Sequence, residues 1–179
     1  SDMGLYLTHH HSEPLGATLF REAYGRDPSL PHDLSLLKEL YREAILSMKG
    51  KKTIWILGYR GQGDCPAPSC PDKHASEVDQ ANSLCEMIRV QRKMVEEYSD
   101  DPAPRFGHYI YAESARYYRE GLLSLDDDII RIFSDNGFGA MRARRHGSTP
   151  EEYVPAEPLS SDRNVSSGVY YHVSFHDLV

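Results

Sequence analysis

The chain has 179 residues, of which 40% are hydrophobic and 26% are charged, enough apolar material for one domain with a core. The formal net charge of -7 argues against a nucleic-acid groove or an anionic membrane surface as the partner. No apolar run approaches the length that spans a membrane. We therefore expect no nucleic acid and no membrane among its partners.

The elements predicted along the chain alternate between strands and helices. Short apolar runs predict strands at residues 5–8, 53–57, 106–112, 128–133 and 169–175. Helical periodicity predicts helices over residues 33–50 and 76–99, and a short helix over 114–123 that Gly121 interrupts. This alternation indicates an α/β fold with parallel strands and crossover helices. Because five strands are too few for a closed eight-stranded barrel, we expect an open sheet or a partial (β/α)8 TIM-type barrel.

The stretch 53–64, TIWILGYRGQGD, is the central feature of the sequence. An apolar strand that looks buried on both faces ends in a glycine-rich loop with two charged residues, Arg60 and Asp64. The loop is neither a P-loop nor a GxGxxG motif. Arg60 and Asp64 either form an ion pair that pins the loop, or take part in chemistry at the carboxyl end of the strand.

Polar side chains follow each predicted strand in turn. If the strands are parallel, their carboxyl ends bring these side chains to one face of the sheet. They are His11 and Glu13 after the first strand, Arg60 and Asp64 after the second, Glu113 after the third, Asp135 and Asn136 after the fourth, and His172 and His176 in or after the fifth.

Asp64 and Glu113 suggest acid/base catalysis. Two carboxylates that flank a glycosidic bond can act as general acid and general base, and a separation of roughly 6.5–9.5 Å leaves room for a water and gives inversion. Asp64 follows the cation Arg60 closely in sequence, and a nearby cation favours an ionised carboxylate. We therefore assign Glu113 as the acid and Asp64 as the base. His172 is either a proton shuttle or a strand histidine of the core.

Other residue types leave alternatives open. The twelve tyrosines and one tryptophan suit a saccharide site, but tyrosines also fill ordinary cores. Cys65 and Cys70 flank a proline-rich loop in which a disulfide is possible, whereas Cys85 is expected to be a free thiol. His9, His10 and His11 cannot all bind one metal ion, because neighbours on a strand point to opposite faces.

Five motifs together resemble glycoside hydrolase family 115, the xylan α-1,2-glucuronidases. They occur in family order and span nearly the whole chain. They are HSEPL at 11–15 (family SHxEP), LGYRGQGD at 57–64 (LGxRGxxD), YAE at 111–113 (YKE), SDNGFG at 134–139 (DDNxG) and GVYYH at 168–172 (GxYYH). Ala112 departs from the family pattern, which has a lysine there.

The resemblance implies an inverting two-carboxylate enzyme that removes α-1,2-linked (4-O-methyl)glucuronic acid from xylan. Asp64 and Glu113 would be the catalytic carboxylates, and Arg60 would bind the uronate carboxylate. The remaining substrate-binding residues would be Asn136, His172, His11 and Glu13. The partner would be glucuronoxylan or a glucurono-xylooligosaccharide, and no cofactor and no metal would be needed.

The resemblance also implies that the chain, residues 1–179, is one central segment of a catalytic barrel. Further barrel strands and domains would flank it in a parent protein that is secreted, extracellular or periplasmic. Two other functions stay open. One is a metal-dependent barrel hydrolase that uses His9 or His11 with Asp64 and His172. The other is a fragment without catalysis that binds acidic sugars.

Overall fold

The computed structural model describes residues 5–8, 15–59, 76–134 and 164–171. Strands and helices alternate from β1 to β3, as the sequence predicts. In chain order the elements are α1 (Ala17–Tyr24), α2 (Leu34–Ser47), β1 (Ile54–Ile56), α3 (Glu77–Tyr98), β2 (Arg105–Ile110), α4 (Glu113–Arg119), β3 (Ile129–Ser134) and β4 (Ser167–Tyr170). None of the helices in these ranges is long and apolar enough to cross a membrane.

The strands form a four-stranded sheet in the order β1-β2-β3-β4. β1 pairs with β2 in parallel, with Trp55 opposite Phe106, and β3 pairs with β4 in parallel, with Phe133 opposite Val169. Trp55, Ile56 and Leu57 are all nearly inaccessible, which agrees with a strand buried on both faces. The predicted parallel α/β class is confirmed.

The chain divides into two compact units, Ser1–Gly107 and His108–Val179. In the first unit α2 packs against α3, and the buried Tyr41 hydroxyl lies 3.7 Å from the Met87 sulfur. In the second unit the Tyr118 ring of α4 meets the Phe133 ring of β3 edge-on, with centroids 5.8 Å apart. In each unit a buried tyrosine therefore contacts another residue of that unit's core.

Helices α2 and α3 form where the apolar period predicts them. The buried face of α2 consists of Leu37, Tyr41, Ala44 and Ile45. At the start of α3 the Ser76 hydroxyl accepts a hydrogen bond from the Asp79 backbone N–H and donates one to the Asp79 carboxylate, so Ser76 is the N-cap of this helix. α1 was not predicted, because it has only two turns and Gly16 supplies no side-chain cap.

The Asp33 carboxylate stabilises the loop between α1 and α2 through hydrogen bonds. Asp33, directly before α2, makes no capping bond; instead it accepts two hydrogen bonds from the Arg26 guanidinium, at 2.7 and 2.9 Å, and one from the Ser29 backbone N–H at 2.6 Å. The Arg26 hydrogen bond, and then that of Ser29, lower the pKa of Asp33 from 3.8 to about 2. Asp33 therefore organises the loop and leaves the helix end without a side-chain cap.

Several predicted strands differ from the structure. Residues 5–8 form no strand; Leu7 makes one parallel bridge with Thr53, because this short run finds a partner at a single residue. β2 stops at Ile110, since Ala112 takes a positive φ that no strand allows. β4 begins at Ser167, two residues early, because backbone pairing with Arg131 does not depend on apolar side chains. Residues 172–175 of that predicted strand lie outside the described part.

Candidate active site

Parallel pairing aligns the carboxyl ends of neighbouring strands. Ser134, the last residue of β3, pairs with Tyr170, the last residue of β4. The predicted substrate-binding residues Asn136 and His172 each follow the end of one of these strands by two positions. Both lie outside the described residues. The register places the last residues of β3 and β4 side by side, and the convergence of Asn136 and His172 stays a prediction.

A buried glutamine holds the carboxyl end of β1. The backbone N–H of Gly58 donates to Gln91 Oε1 at 2.7 Å, and Gln91 Nε2 donates back to the Gly58 carbonyl at 2.8 Å. Gln91 lies on α3 and is completely buried. Gly58 has a φ of 120°, which favours glycine at this position. This is the point at which the chain leaves the strand toward Arg60 and Asp64.

The same amide reaches a third backbone group. Gln91 Nε2 donates to the Leu15 carbonyl at 3.0 Å and lies 3.4 Å from the Tyr41 hydroxyl. Sequence reasoning missed Gln91. The signal was present, because Gln91 stands three residues after Ile88 and four before Val95, both on the buried face of α3. A polar amide on an apolar helix face requires buried partners.

Of the two predicted catalytic residues, Asp64 and Glu113, the structure describes Glu113. It is the first residue of α4, three positions after the end of β2, and it is partly exposed. Ala112, directly before it, has φ 50° and ψ -124°. Such a conformation costs an alanine on the order of 1–3 kcal/mol. A strained turn from strand to helix is also how α/β hydrolases expose a catalytic side chain.

Hydrogen bonds hold the turn around Ala112. The Tyr111 carbonyl accepts from the Ser114 backbone N–H at 3.1 Å, and the Ala112 carbonyl accepts from the Ala115 N–H at 3.1 Å. The Ser114 hydroxyl shares a hydrogen bond with His108 Nε2 at 3.3 Å, and both side chains are buried. His108 on β2 therefore ties the first turn of α4 back to the strand. This fixes the backbone on either side of Glu113.

Two tyrosines form a contact on the sheet near its carboxyl edge. The rings of Tyr109 on β2 and Tyr170 on β4 meet edge-on, with centroids 5.6 Å apart, and both are partly exposed. Partly exposed aromatic rings of this kind can stack on sugars, as the tyrosine-rich composition suggests.

The other predicted site residues lie outside the described residues. They are Asp64, Arg60, Asn136, His172, His11 and Glu13, together with His9 of the metal alternative. The structure therefore tests neither the distance between Asp64 and Glu113 nor the two residues' roles. Cys65 and Cys70 also lie outside, while Cys85 is a buried free thiol, as predicted. Within the described ranges no three His, Cys, Asp or Glu side chains are grouped to hold a metal ion.

Comparison with known proteins gives the class of this chain. The family model described as glycosyl hydrolase family 115 matches residues 1–178. A solved structure, described as a family GH115 4-O-methyl-alpha-glucuronidase, BtGH115A, with specificity for decorated arabinogalactans, superimposes with a TM-score of 0.69 at 19% identity. That alignment covers 94% of this chain and 21% of that chain. None of the curated proteins compared with the chain matches it.

The chain is thus a parallel α/β protein with the fold of part of a glycoside hydrolase. Because the family model covers all but its last residue, the chain belongs to glycosyl hydrolase family 115. The predicted family resemblance is confirmed. The chain spans about a fifth of the length of the solved relative, so that relative shows the fold of a segment.

Proposed function

We propose that the full-length protein is a glycoside hydrolase that removes α-1,2-linked (4-O-methyl)glucuronic acid from xylan with inversion. The observation that carries this proposal is the match to family 115 over residues 1–178. The segment contributes both catalytic carboxylates, Asp64 and Glu113. It is one part of a (β/α)8 barrel that further strands complete.

The placement of Glu113 supports this proposal. It follows β2 at the strained turn of Ala112, and the His108–Ser114 hydrogen bond holds that turn. Asp64 follows the end of β1 by a few residues, and β1 is the parallel neighbour of β2. Adjacent strands lie about 4.8 Å apart. Side chains that extend from two such ends can reach a spacing that admits a water between them.

In this mechanism Glu113 protonates the leaving oxygen of the xylan backbone. Asp64 removes a proton from a water that attacks the anomeric carbon from the opposite face. Arg60 binds the uronate carboxylate, and His11, Glu13, Asn136 and His172 contact the sugar. The polymer substrate cannot cross a cell membrane, so we propose that the protein acts outside the cytoplasm, extracellularly or in the periplasm.

The test is incubation of the full-length protein with glucuronoxylan, followed by NMR for released uronic acid. The solved relative is described as specific for decorated arabinogalactans, so a glucuronic-acid-bearing arabinogalactan is assayed in parallel. We expect the β-anomer to appear first, because inversion of an α-linkage gives it. Release of uronic acid from neither polymer would contradict the proposal.

Two controls separate the alternatives. A chelator should leave the activity unchanged, because two carboxylates need no metal; a metal-dependent hydrolase would lose it. Titration of free glucuronic acid onto the protein separates a binding fragment from an enzyme. Binding without turnover would favour the fragment that only binds acidic sugars.

A further inference from the structure

We propose that Gln91 is a positioning residue for the reaction, because its amide fixes the point from which the Arg60–Asp64 segment leaves the sheet. The inference rests on the proposed function. It concerns a buried residue of helix α3. Gln91 does not touch the sugar in this proposal; it acts through the Gly58 peptide.

The contact fixes orientation as well as distance. Gly58 donates its N–H to Gln91 and accepts from the same amide through its carbonyl, at 2.7 and 2.8 Å. Two antiparallel hydrogen bonds between one residue's backbone and one planar amide set the direction in which the chain continues. With a single hydrogen bond or an apolar contact, the Gly58 peptide could still rotate.

Chain connectivity links this contact to the predicted site. A residue adds at most roughly 3.6 Å to the reach of the chain. Arg60 is two residues after Gly58, so the Cα atoms of the two lie within about 7 Å of each other. The orientation of the Gly58 peptide therefore sets the direction in which the chain starts toward Arg60 and Asp64.

Gln91 also joins this strand end to a second predicted segment. Its remaining N–H donates to the Leu15 carbonyl at 3.0 Å. Leu15 stands two residues after Glu13, one of the predicted substrate-binding residues. One side chain thus ties together the end of the His11–Glu13 segment and the start of the Arg60–Asp64 segment.

Core stability alone does not require a glutamine here. The neighbouring buried residues of α3 are mainly apolar, and an unpaired amide in such surroundings would cost on the order of 1–3 kcal/mol. Both hydrogens and the oxygen of the Gln91 amide are instead bonded to backbone groups, those of Gly58 after β1 and of Leu15 before α1. A role confined to stability predicts that a variant lacking these bonds unfolds more easily but keeps its activity per folded molecule.

The first test compares Gln91→Met with Gln80→Met in the full-length protein. Methionine keeps the length of glutamine and removes its hydrogen bonds. Gln80 lies on the same helix and is partly exposed, so it is a matched control. At a temperature where both variants are folded, we expect kcat/KM on glucuronoxylan to fall roughly 100-fold in Gln91→Met, and less than about twofold in the control.

Amide exchange of Gly58 supplies a readout that does not depend on activity. Hydrogen exchange measured by mass spectrometry should show faster exchange at Gly58 in Gln91→Met and unchanged exchange in Gln80→Met. Faster exchange with normal kcat/KM would overturn the inference, as would unchanged exchange at Gly58. A wild-type protein that releases no uronic acid would instead contradict the proposed function, while the exchange rates would still show whether Gln91 fixes Gly58.

The second test uses Gln91→Glu. An ionised carboxylate cannot donate to the Gly58 and Leu15 carbonyls, whereas a protonated carboxyl can donate to one of them and accept from the Gly58 N–H. We therefore expect the activity of the variant relative to wild type to rise as the pH falls. Among the described residues, the titratable side chain in contact with Gln91 is Tyr41, whose hydroxyl lies 3.4 Å from the amide and is present in both proteins. A ratio that is constant with pH would contradict the positioning role.

Discussion

Ala112 has a backbone conformation that alanine rarely adopts, and the contacts around it maintain that conformation. Its carbonyl accepts the first hydrogen bonds of α4, and Ser114, two residues on, is bound to His108. Those bonds offset the local cost of a φ of 50°. The result is an abrupt change from strand to helix, and Glu113 is the first residue after it.

Substrates with different leaving groups can separate the roles proposed for Asp64 and Glu113. An activated aryl glucuronide needs little protonation of its leaving oxygen, but it still needs an activated water. We expect Glu113→Ala in the full-length protein to lose far less rate on the aryl glucuronide than on glucuronoxylan, and Asp64→Ala to lose rate on both. The measurement is kcat/KM for each variant on each substrate.

Equal losses of the Glu113 variant on both substrates would contradict its assignment as the acid. The opposite pattern, in which Asp64→Ala is selectively spared on the aryl glucuronide, would exchange the two roles. Protein folding is checked in both variants by circular dichroism, since Glu113 begins a helix.

At the scale of single residues, the sequence predicted where Glu113 lies along the chain, but not the backbone geometry around it. Glu113 was identified from its place after an apolar strand, and it does lie at a strand end. The positive φ of Ala112 was not predictable, because alanine has no preference for that region. The contacts of Gln91 were not predictable either, since Leu15 and Gly58 are 76 and 33 residues away in the chain.

Among the elements, those with a long apolar period were predicted best. α2 and α3 have 14 and 22 residues, enough for several turns of one buried face. α1 has 8 residues and was missed, while the run at 5–8 was overpredicted because four residues cannot show whether a partner strand continues beside them. The ends of the strands depended on backbone pairing with a neighbouring strand, which cannot be predicted from the side chains of one strand alone.

The loop between α1 and α2 gives a prediction for acid unfolding. The pKa of Asp33 is lowered to about 2 by Arg26 and Ser29, so the folded state favours the ionised form. The resulting stabilisation is complete above the ordinary value of 3.8 and is lost as the pH falls toward 2. We expect Asp33→Asn to lower the free energy of unfolding at pH 6 and to have progressively less effect between pH 4 and pH 2.

Urea unfolding at several pH values measures this difference. Asp27→Asn is the control, because Asp27 lies in the same loop and its bond to Arg21 is longer, at 3.4 Å, and exposed. A difference between wild type and Asp33→Asn that stays constant from pH 6 to pH 2 would show that the ion pair is not its origin.

For the molecule as a whole, the parallel direction of the strands was predictable, but the exposure of individual apolar side chains was not. Alternation of strands and helices indicated parallel pairing, which the register of Trp55 with Phe106 confirms. The sequence alone could not show where apolar surface stays uncovered. The structure does: Leu5 and Leu7, before β1, and Val169, on β4, are all more than 40% exposed.

Val169 lies on the helix-bearing face of the sheet. It pairs with Phe133, so the two side chains point to the same face, and the Phe133 ring packs against Tyr118 of α4. Phe133 is 2% exposed, whereas Val169 is 57% exposed. In a complete (β/α)8 barrel, the chain that follows β4 would cover this valine as α4 covers Phe133.

This difference yields a prediction for the full-length protein. Val169→Lys should lower its melting temperature, because burial of a valine stabilises a protein by about 1.5–3 kcal/mol and a buried unpaired charge adds a further cost. Val78→Lys is the matched control, since Val78 is 50% exposed on α3 and substitutions at exposed positions usually change stability by less than about 0.5 kcal/mol. Calorimetry of the two variants measures both effects. If the Val169 variant melts at the wild-type temperature, this face is open to solvent in the full-length protein, and the barrel is not completed beside β4.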